Sequence, residues 1–254
     1  MIHIGKRSIS EFFQQLLTLN IITILFRFFS VHESPIKAIF NELFSKGKYP
    51  ATIKIKNKLK IKLYSFSDFS TLNLVFCRED YYKPNKIKFV IDIGSNIGIS
   101  CLYWFIDNPK CFIEAYEPST NNFKRLFKNL KKYKKNIILK KIGVSNKNKS
   151  GKLYLSKSGV NDSTQIINGA KIEKIKLIDI NYILKRALLK HDQIDILKID
   201  VEGHEVSILK SIKKKYFNKI KVINVEGVNY NSIIPKHYSF SFKGSASRFV
   251  NKNI

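Results

Sequence analysis

The sequence predicts an α/β fold with a doubly wound, mostly parallel sheet, and three observations lead to that prediction. Residues 88–93 form a continuous apolar run, which suits a strand buried on both faces of a parallel sheet. After residue 86, such strands alternate with helical segments through short connections. The chain of 254 residues is also long enough for one such domain with a modest N-terminal extension.

The N-terminal part of the chain, residues 1–50, is predicted to be a helical extension of a domain that spans residues 51–254. Residues 12–29 are rich in Phe, Leu and Ile, but polar residues interrupt them, so they make a poor membrane-spanning helix. We expect this helix to pack on the fold or cap its substrate cleft. Two alternatives stay open, namely peripheral membrane contact through residues 11–30 and dimerisation.

Other periodic segments complete the predicted order of elements. Residues 52–63 alternate apolar residues with lysines, which indicates a hairpin with one apolar face and one lysine face. A helix is expected over 67–82, with Ser67 or Asp68 as its cap. The remaining predictions are helices over 99–106, 120–130 (after a Ser119 cap), 181–189 and 205–213, strands over 111–116, 137–144, 151–155, 172–178, 194–199 and 219–225, a polar loop over 157–170, and a final hairpin within 238–254.

The net charge is strongly positive, at +27 from 46 basic and 19 acidic residues. Such a charge attracts nucleic acid or an anionic membrane. Only six of the basic residues are arginines, however, whereas nucleic-acid readers rely on arginine for bidentate contacts. Lys, Ile and Asn are abundant together, as they are when a coding sequence is rich in A and T. We therefore expect no specific nucleic-acid partner.

The cysteines and the N-terminus bear on the compartment. Cys77, Cys101 and Cys111 are odd in number and lack the spacing of a metal site, which suits a reducing cytoplasm. The apolar N-terminal stretch follows an acidic residue and lacks a small-residue cleavage site, so no secretory signal is expected. We expect a cytoplasmic protein, with peripheral contact to the inner face of a membrane as an alternative.

A glycine-containing loop follows the first buried strand, in the run "VIDIGSNIGIS". Gly94 ends the strand where the chain must turn, and Gly98 lets the next helix pack closely. The spacing is G-x-N-x-G, so Asn96 stands where a dinucleotide site needs a glycine for its pyrophosphate. This disfavours an NAD-dependent oxidoreductase. S-adenosylmethionine fits better, because its carboxylate can accept backbone N–H groups and its ammonium and sulfonium favour a nearby acid.

An acidic residue follows the second strand of the same region. Glu117 comes about twenty residues after the loop, where a carboxylate can accept both ribose hydroxyls of a nucleoside. Gly143 and Val144, at the end of the third predicted strand, are assigned to the same site. The predicted cofactor residues are Asp92, Gly94, Ser95, Asn96, Gly98, Glu117, Gly143 and Val144.

A second constellation follows the predicted strand over 194–199. Five ionisable side chains lie within eight residues at the edge of the expected cleft, and such clustering is more often functional than structural. The alternative is a solvated loop whose acids complement a helix N-terminus. Glu226 ends the next strand, beside Asp200. The predicted catalytic residues are Asp200, Glu202, His204 and Glu226.

The runs "VIDIGSNIGIS", "YEP", "LKIDVEGHE" and "INVEG", in this order and spacing, resemble the FkbM family of class I methyltransferases. The resemblance covers about residues 50–230 and implies a Rossmann-like sheet. It also implies methyl transfer from S-adenosylmethionine to a hydroxyl of a sugar, a glycan or a polyketide-type natural product. By position it places Asp92, Gly94, Asn96, Gly98 and Glu117 in the cofactor motifs, and Asp200, Glu202 and His204 beside the transferred methyl group.

The resulting expectation is an O-methyltransferase that acts on a free or lipid-linked sugar or glycan. A sugar hydroxyl is a weak nucleophile, so a general base is expected. His204 suits that role because imidazole titrates near neutral pH, and Asp200 or Glu202 are alternatives. The acids could also hold a divalent cation, although carboxylates alone do not establish a metal site and none is predicted. An RNA methyltransferase and a non-catalytic membrane-associated scaffold are the rival functions.

Overall fold

The computed structural model describes residues 3–4, 7–8, 21–55, 59–155, 171–227 and 230–254. The chain divides into two compact units, Met1–Glu79 and Asp80–Ile254. The boundary placed after residue 50 from the sequence stays a prediction. Residues 12–20 of the N-terminal segment, the turn of the lysine hairpin and the polar loop over 157–170 lie outside the described residues.

The first unit contains helices and a hairpin. The hairpin confirms the alternation seen in the sequence, because Ile61 and Leu63 are buried while Lys60 and Lys62 are exposed. The elements in chain order are β1 (His3–Ile4), β2 (Arg7–Ser8), α1 (Ile21–Val31), α2 (Pro35–Phe44), β3 (Ala51–Ile55), β4 (Leu59–Leu63) and α3 (Phe66–Phe76).

Helix α3 begins earlier and ends earlier than the sequence predicts. Its cap is Ser65, so the assignment of the cap to Ser67 or Asp68 is wrong. The Ser65 hydroxyl accepts from the Asp68 backbone N–H at 3.1 Å, and the Asp68 carboxylate accepts from the Ser65 N–H at 3.1 Å. This reciprocal capping box decides where the helix starts. The helix stops at Phe76, before residue 82, and Glu79 has a left-handed φ of 55°.

The second unit is an α/β layer structure with one large sheet. Its elements are β5 (Phe89–Ile93), α4 (Ile99–Asp107), β6 (Phe112–Tyr116), α5 (Thr120–Leu130), β7 (Ile137–Lys140), β8 (Gly143–Ser145), β9 (Lys149–Leu155), β10 (Lys171–Asp179), α6 (Ile180–Leu188), β11 (Ile194–Ile199), α7 (Glu205–Ser211), α8 (Lys214–Phe217), β12 (Ile220–Glu226), β13 (Tyr238–Lys243) and β14 (Ala246–Asn251). The predicted Ser119 cap of α5 is confirmed. The final hairpin is β13–β14.

The seven strands of the large sheet follow the order β13–β14–β12–β11–β5–β6–β7. Strands β12, β11, β5, β6 and β7 are parallel, and β14 and β13 are antiparallel to their neighbours. All five residues of β5 are buried, as a strand covered on both faces requires. The predicted doubly wound, mostly parallel fold is therefore confirmed.

Two predicted elements are each divided in the structure. The strand predicted over 137–144 is wrong, because β7 ends at Lys140 and the backbone turns, with Ile142 N–H donating to the Lys140 carbonyl at 3.0 Å. Strand β8 then pairs with β10 in a separate sheet of order β8–β10–β9. The helix predicted over 205–213 ends at Ser211, because Ile212 adopts extended backbone before α8 begins.

The register of the sheet brings four strand ends to one edge. Ile93 of β5 pairs with Tyr116 of β6 and with Ile199 of β11, and Ile199 pairs with Val225 of β12. The residues that follow these strands therefore emerge side by side at the carboxyl edge, where parallel α/β sheets bind their ligands.

Cys77, Cys101 and Cys111 are free thiols and all three are buried. Across the described segments, no helix combines the length and the apolar character needed to cross a bilayer.

Candidate active site

The loop between β5 and α4 requires glycine at two positions. Gly94 has a φ of +78°, and a Cβ there would lie 1.6 Å from the backbone oxygen of Asp200. Gly98 has a φ of +95°, and a Cβ there would lie 2.8 Å from Cδ1 of Leu130. Side chains are rarely tolerated at such φ values, and here the space is also filled. The loop therefore lies directly against the start of the acidic segment after β11.

Glu117 forms a hydrogen bond with this loop, as its place after β6 leads us to expect. The backbone N–H groups of Gly94 and Ser95 both donate to the Tyr116 carbonyl at 3.0 Å. The Glu117 carboxylate accepts from Asn96 N–H at 2.9 Å and from Ser119 N–H at 2.8 Å. A carboxylate is also the type of acceptor that ribose hydroxyls require. The ribose contact of Glu117 stays a prediction.

The residues at this edge fit an S-adenosylmethionine-type ligand. The side-chain oxygen of Asn96 is buried and has no hydrogen-bond partner among the residues that the structure describes. Such an atom is an acceptor available to a ligand donor. Gly143 adjoins the site, because a Cβ there would lie 3.4 Å from Cβ of Pro118. Val144 is buried in the same apolar core as Tyr116, and the cofactor roles of both residues stay predictions.

Asp92 lies beneath the loop and has no exposed surface. Its Oδ2 accepts from the Ser100 hydroxyl at 2.5 Å and from the Cys101 thiol at 3.3 Å. Its Oδ1 lies 3.4 Å from Nζ of Lys198. These contacts attach the first turn of α4 to β5 and so hold the shape of the loop. A direct contact between Asp92 and the cofactor stays a prediction.

Three of the four predicted catalytic residues meet at the carboxyl edge. Carboxylate oxygens of Asp200, Glu202 and Glu226 all lie within 4.8 Å of one another. Glu202 has a φ of 55°, a left-handed conformation that a side chain adopts at a cost and that is common at functional sites. The proximity of Asp200 and Glu226 across β11 and β12 is the one expected from the sequence. Such a group of carboxylates could hold a cation.

His204 and Glu205 lie apart from that group of carboxylates. Among the described residues, the His204 ring does not belong to the mutually close set, and His204 occupies the N-cap position of α7. The Glu205 carboxylate accepts from Val201 N–H at 2.9 Å and from Gly203 N–H at 3.0 Å. Glu205 therefore stabilises the loop backbone, whereas the catalytic role assigned to His204 stays a prediction.

Lys198 links the glycine loop to the acids, and its role was missed by sequence reasoning. Its Nζ donates to the Gly94 carbonyl at 2.5 Å and lies 3.1 Å from Oδ2 of Asp200. The side chain is only 2% exposed. Burial alone would lower the pKa of Lys198, but the charges of Asp200 and Asp92 raise it above its usual value. The available signal was a lysine within a strand predicted to be buried, since a buried ammonium needs anionic partners.

Tyr81 is a second functional candidate that the sequence did not reveal. Its hydroxyl donates to Oδ2 of Asp200 at 3.0 Å, and the residue is buried. Asn224 holds this segment in place: its Oδ1 accepts from Tyr82 N–H at 2.8 Å and its Nδ2 donates to the Tyr82 carbonyl at 3.0 Å. No local pattern marks Tyr81, because it reaches the site only through this contact between distant segments.

Asp200 and Glu226 differ in protonation. The negative charge of Asp200, burial and a hydrogen bond between the two carboxyl groups raise the pKa of Glu226 to about 10. Burial would raise the pKa of Asp200, but the Lys198 ammonium and hydrogen bonds from Glu226, Lys198 and Tyr81 lower it below its usual range. At neutral pH the pair therefore holds one proton, on Glu226, while Asp200 is ionised.

A parallel sheet with a glycine loop after its first strand, an acid after the second and a ligand edge at the strand ends is the arrangement of class I methyltransferases. This class uses S-adenosylmethionine as its methyl donor. The chain belongs to the FkbM methyltransferase family, because the sequence model of the methyltransferase FkbM domain matches residues 92–244. That match includes the glycine loop, Glu117, the acidic segment after β11 and Glu226.

Two relatives illustrate the similarity. The methyltransferase sdnD of Sordaria araneosa is 25% identical over 179 residues, which covers 58% of this chain and 69% of the relative. The crystal structure of methyltransferase FkbM from Methylobacillus flagellatus KT superposes with a TM-score of 0.50 at 14% identity, covering 91% of this chain and 58% of that chain. At that identity the superposition supports the fold. The chain spans little more than half the length of the Methylobacillus protein.

Proposed function

We propose that the protein is an O-methyltransferase that methylates a hydroxyl of a sugar or glycan. One observation supports the proposal more than any other: the acidic cluster directly adjoins the loop that fits the methyl donor. The Asp200 backbone fills the space beside Gly94, and the Lys198 ammonium binds both the Gly94 carbonyl and the Asp200 carboxylate. The sugar class of the acceptor rests on the family resemblance.

The residues of the chain have separable roles in this proposal. S-adenosylmethionine, when bound, supplies a methyl group already activated on a sulfonium. The Gly94–Gly98 loop and Glu117 hold that donor, and the carboxyl groups of Asp200, Glu202 and Glu226 orient the acceptor hydroxyl. Alignment of donor and acceptor by such positioning is worth several kcal/mol of the barrier.

Asp200 is the proposed general base. The acceptor oxygen becomes strongly acidic as its bond to the methyl carbon forms, so an ionised carboxylate can take the proton although its pKa is low. Lys198 and Tyr81 hold the Asp200 carboxylate ionised and oriented at 3.1 and 3.0 Å. Protonated Glu226 can donate a hydrogen bond to Asp200 or to the acceptor. His204, the base favoured by its ordinary chemistry, lies outside this cluster and is the alternative.

The test measures transfer of a labelled methyl group to a panel of free and lipid-linked glycans, with mass spectrometry of the products. We expect Asp200→Asn to lower the transfer rate by roughly 10²–10⁴ while the affinity for S-adenosylhomocysteine changes by less than about tenfold. His204→Ala should retain a rate within about tenfold of the wild type. Asp192→Asn, a change of the same kind at an exposed position, is the control.

The outcomes separate the parts of the proposal. A wild-type rate in Asp200→Asn combined with a large loss in His204→Ala would transfer the base to His204. Failure of every glycan to accept a methyl group, in protein that binds S-adenosylhomocysteine, would reject the acceptor class. Methylation of RNA in the same assay would favour the rival reaction.

A further inference from the structure

Two helices of the first unit expose large apolar side chains to solvent. On α1 the exposed positions recur at intervals of three and four residues, and on α2 at intervals of four, so each set lies along one face of its helix. Seven such side chains fall within residues 22–44, and their exposed fractions range from 40% to 76%. They are Ile22, Leu25, Phe26 and Phe29 on α1, and Ile36, Phe40 and Phe44 on α2. We call these seven residues the apolar stripes.

The opposite faces of the same helices are packed. Phe28 and Val31 of α1 and Ala38 of α2 are buried. His32, directly after α1, is 3% exposed and forms a 2.8 Å hydrogen bond with Asn73 of α3. The helices are therefore anchored within their unit, and the apolar stripes are a second face beyond the one used for packing. Soluble monomers rarely expose so many neighbouring apolar side chains without an interaction that covers them.

Lysines border the apolar stripe of α2. Lys37 lines a groove of about 540 Å³ at the start of α2, together with Pro35, Ile36 and Phe40. The Phe40 and Phe44 rings lie with their centroids 4.5 Å apart. The Lys46 ammonium lies 5.6 Å from the centroid of Phe40. Apolar side chains bordered by lysines are typical of helices that lie in the boundary between lipid headgroups and acyl chains.

We propose that α1 and α2 dock the protein on the surface of an anionic lipid bilayer. The apolar stripes enter the headgroup boundary, and Lys37 and Lys46 meet the lipid phosphates. The described part of helix α1, Ile21–Val31, has 11 residues and is roughly 16 Å long, about half the hydrocarbon thickness of a bilayer, so we place this part along the membrane surface.

The net charge distinguishes between two partners that could cover the apolar stripes, namely a second copy of the chain and an anionic bilayer. A second copy of the chain would bring another +27 against the first, which disfavours self-association. An anionic bilayer has the opposite charge and attracts each nearby lysine by about 1 kcal/mol. The inference concerns only residues of the first unit, so it holds or fails independently of the methyl-transfer proposal.

The first test is flotation of the full-length protein with vesicles of phosphatidylcholine mixed with phosphatidylglycerol, compared with phosphatidylcholine alone. We expect binding to the anionic vesicles and at least tenfold weaker binding to the neutral ones. Phe26→Ser combined with Phe40→Ser should weaken anionic binding at least tenfold. The matched control combines Phe127→Ser with Phe240→Ser, two phenylalanines of the second unit that are 51% and 44% exposed.

The second test distinguishes the effect of the lysines beside the apolar stripes from the effect of the net charge of the whole chain. Lys37→Glu combined with Lys46→Glu should weaken anionic binding more than Lys128→Glu combined with Lys210→Glu, which changes the net charge equally. S-adenosylhomocysteine affinity verifies folding of the second unit, and circular dichroism that of the whole chain. The proposal is overturned if the wild type does not float with anionic vesicles, or if both phenylalanine pairs behave alike. It is also overturned if light scattering shows a dimer that only Phe26→Ser with Phe40→Ser dissociates.

Discussion

At the scale of single residues, the site depends on one buried cation. Lys198 contacts the Gly94 carbonyl, Asp200 and Asp92, which belong to the cofactor loop, the acidic cluster and the support beneath the loop. The charge of Asp200 and burial raise the pKa of Glu226 to about 10, although the Lys198 ammonium acts in the opposite direction. A divalent cation at this place would have to compete with an ammonium that is already bound.

The raised pKa of Glu226 predicts how the free energy of unfolding depends on pH. Its pKa is raised from 4.5 to about 10 in the folded protein, so its contribution to stability is fully present below pH 4.5 and is lost as the pH rises towards 10. Glutamine resembles the protonated acid and does not titrate. We therefore expect Glu226→Gln to raise the free energy of unfolding at neutral pH by at least about 1 kcal/mol, with no gain below pH 4.5.

Urea unfolding at both pH values measures this effect. Trp104 is the single tryptophan and is fully buried in the second unit, so its fluorescence reports on the relevant unit. Glu33→Gln, at an exposed position of the first unit, controls for the loss of one charge. A gain of the same size at both pH values, or none at neutral pH, would contradict the shared-proton state.

At the scale of elements, hydrogen bonds join the loop between β5 and α4 to the end of β6. Glu117 accepts from the Asn96 and Ser119 backbone N–H groups and so supports the loop. We expect Glu117→Ala to weaken S-adenosylhomocysteine binding at least tenfold, about 1.4 kcal/mol, in calorimetry. Glu117→Gln keeps one acceptor oxygen and should lose less. Asp192→Asn is again the control, and unchanged affinity in folded Glu117→Ala would exclude Glu117 from the cofactor site.

The helices and strands differ in how well their bounds could be predicted from the sequence. Strand β11 was predicted to the residue, because its apolar residues are all buried and end at Ile199, where a segment rich in charged residues follows. The division of 137–144 into β7 and β8 was missed, since both halves are apolar and only the pairing with β10 separates them. The cap of α3 was misplaced among several polar candidates, and the reciprocal Ser65–Asp68 bonds decided it.

Within the site, residues that follow parallel strands could be predicted from the sequence, whereas a residue positioned by a distant segment could not. Asp200, Glu202 and Glu226 were predicted because strand ends in a parallel sheet share an edge. Tyr81 was not, because its position depends on the Asn224 side chain, which lies more than a hundred residues away. His204 was assigned to the same site by its place in the sequence; the structure places it at the N-cap of α7, and its catalytic role stays a prediction.

At the scale of the whole molecule, the charge of +27 is spread mainly over lysines, and few of the lysines are assigned a role in the site. Lys198 is the exception, since it is buried between acids. Exposed lysines at a distance interact weakly with a neutral acceptor, whereas they act strongly on a polyanion or an anionic membrane. The reaction and the surface attraction should therefore respond differently to salt.

This difference gives a prediction for the intact protein. Binding of a nucleic acid releases counterions, so affinity for an RNA acceptor falls by roughly 10³–10⁵ between low and physiological salt when many phosphates are contacted. A neutral glycan releases none. We expect the kcat/KM for a soluble glycan acceptor to change by less than about threefold over that range, while flotation with anionic vesicles declines steeply. Steady-state methyl transfer and flotation at matched salt concentrations check both halves. A fall in kcat/KM on the order of 10³ would show that the lysines bind the acceptor itself and would favour a polyanionic substrate.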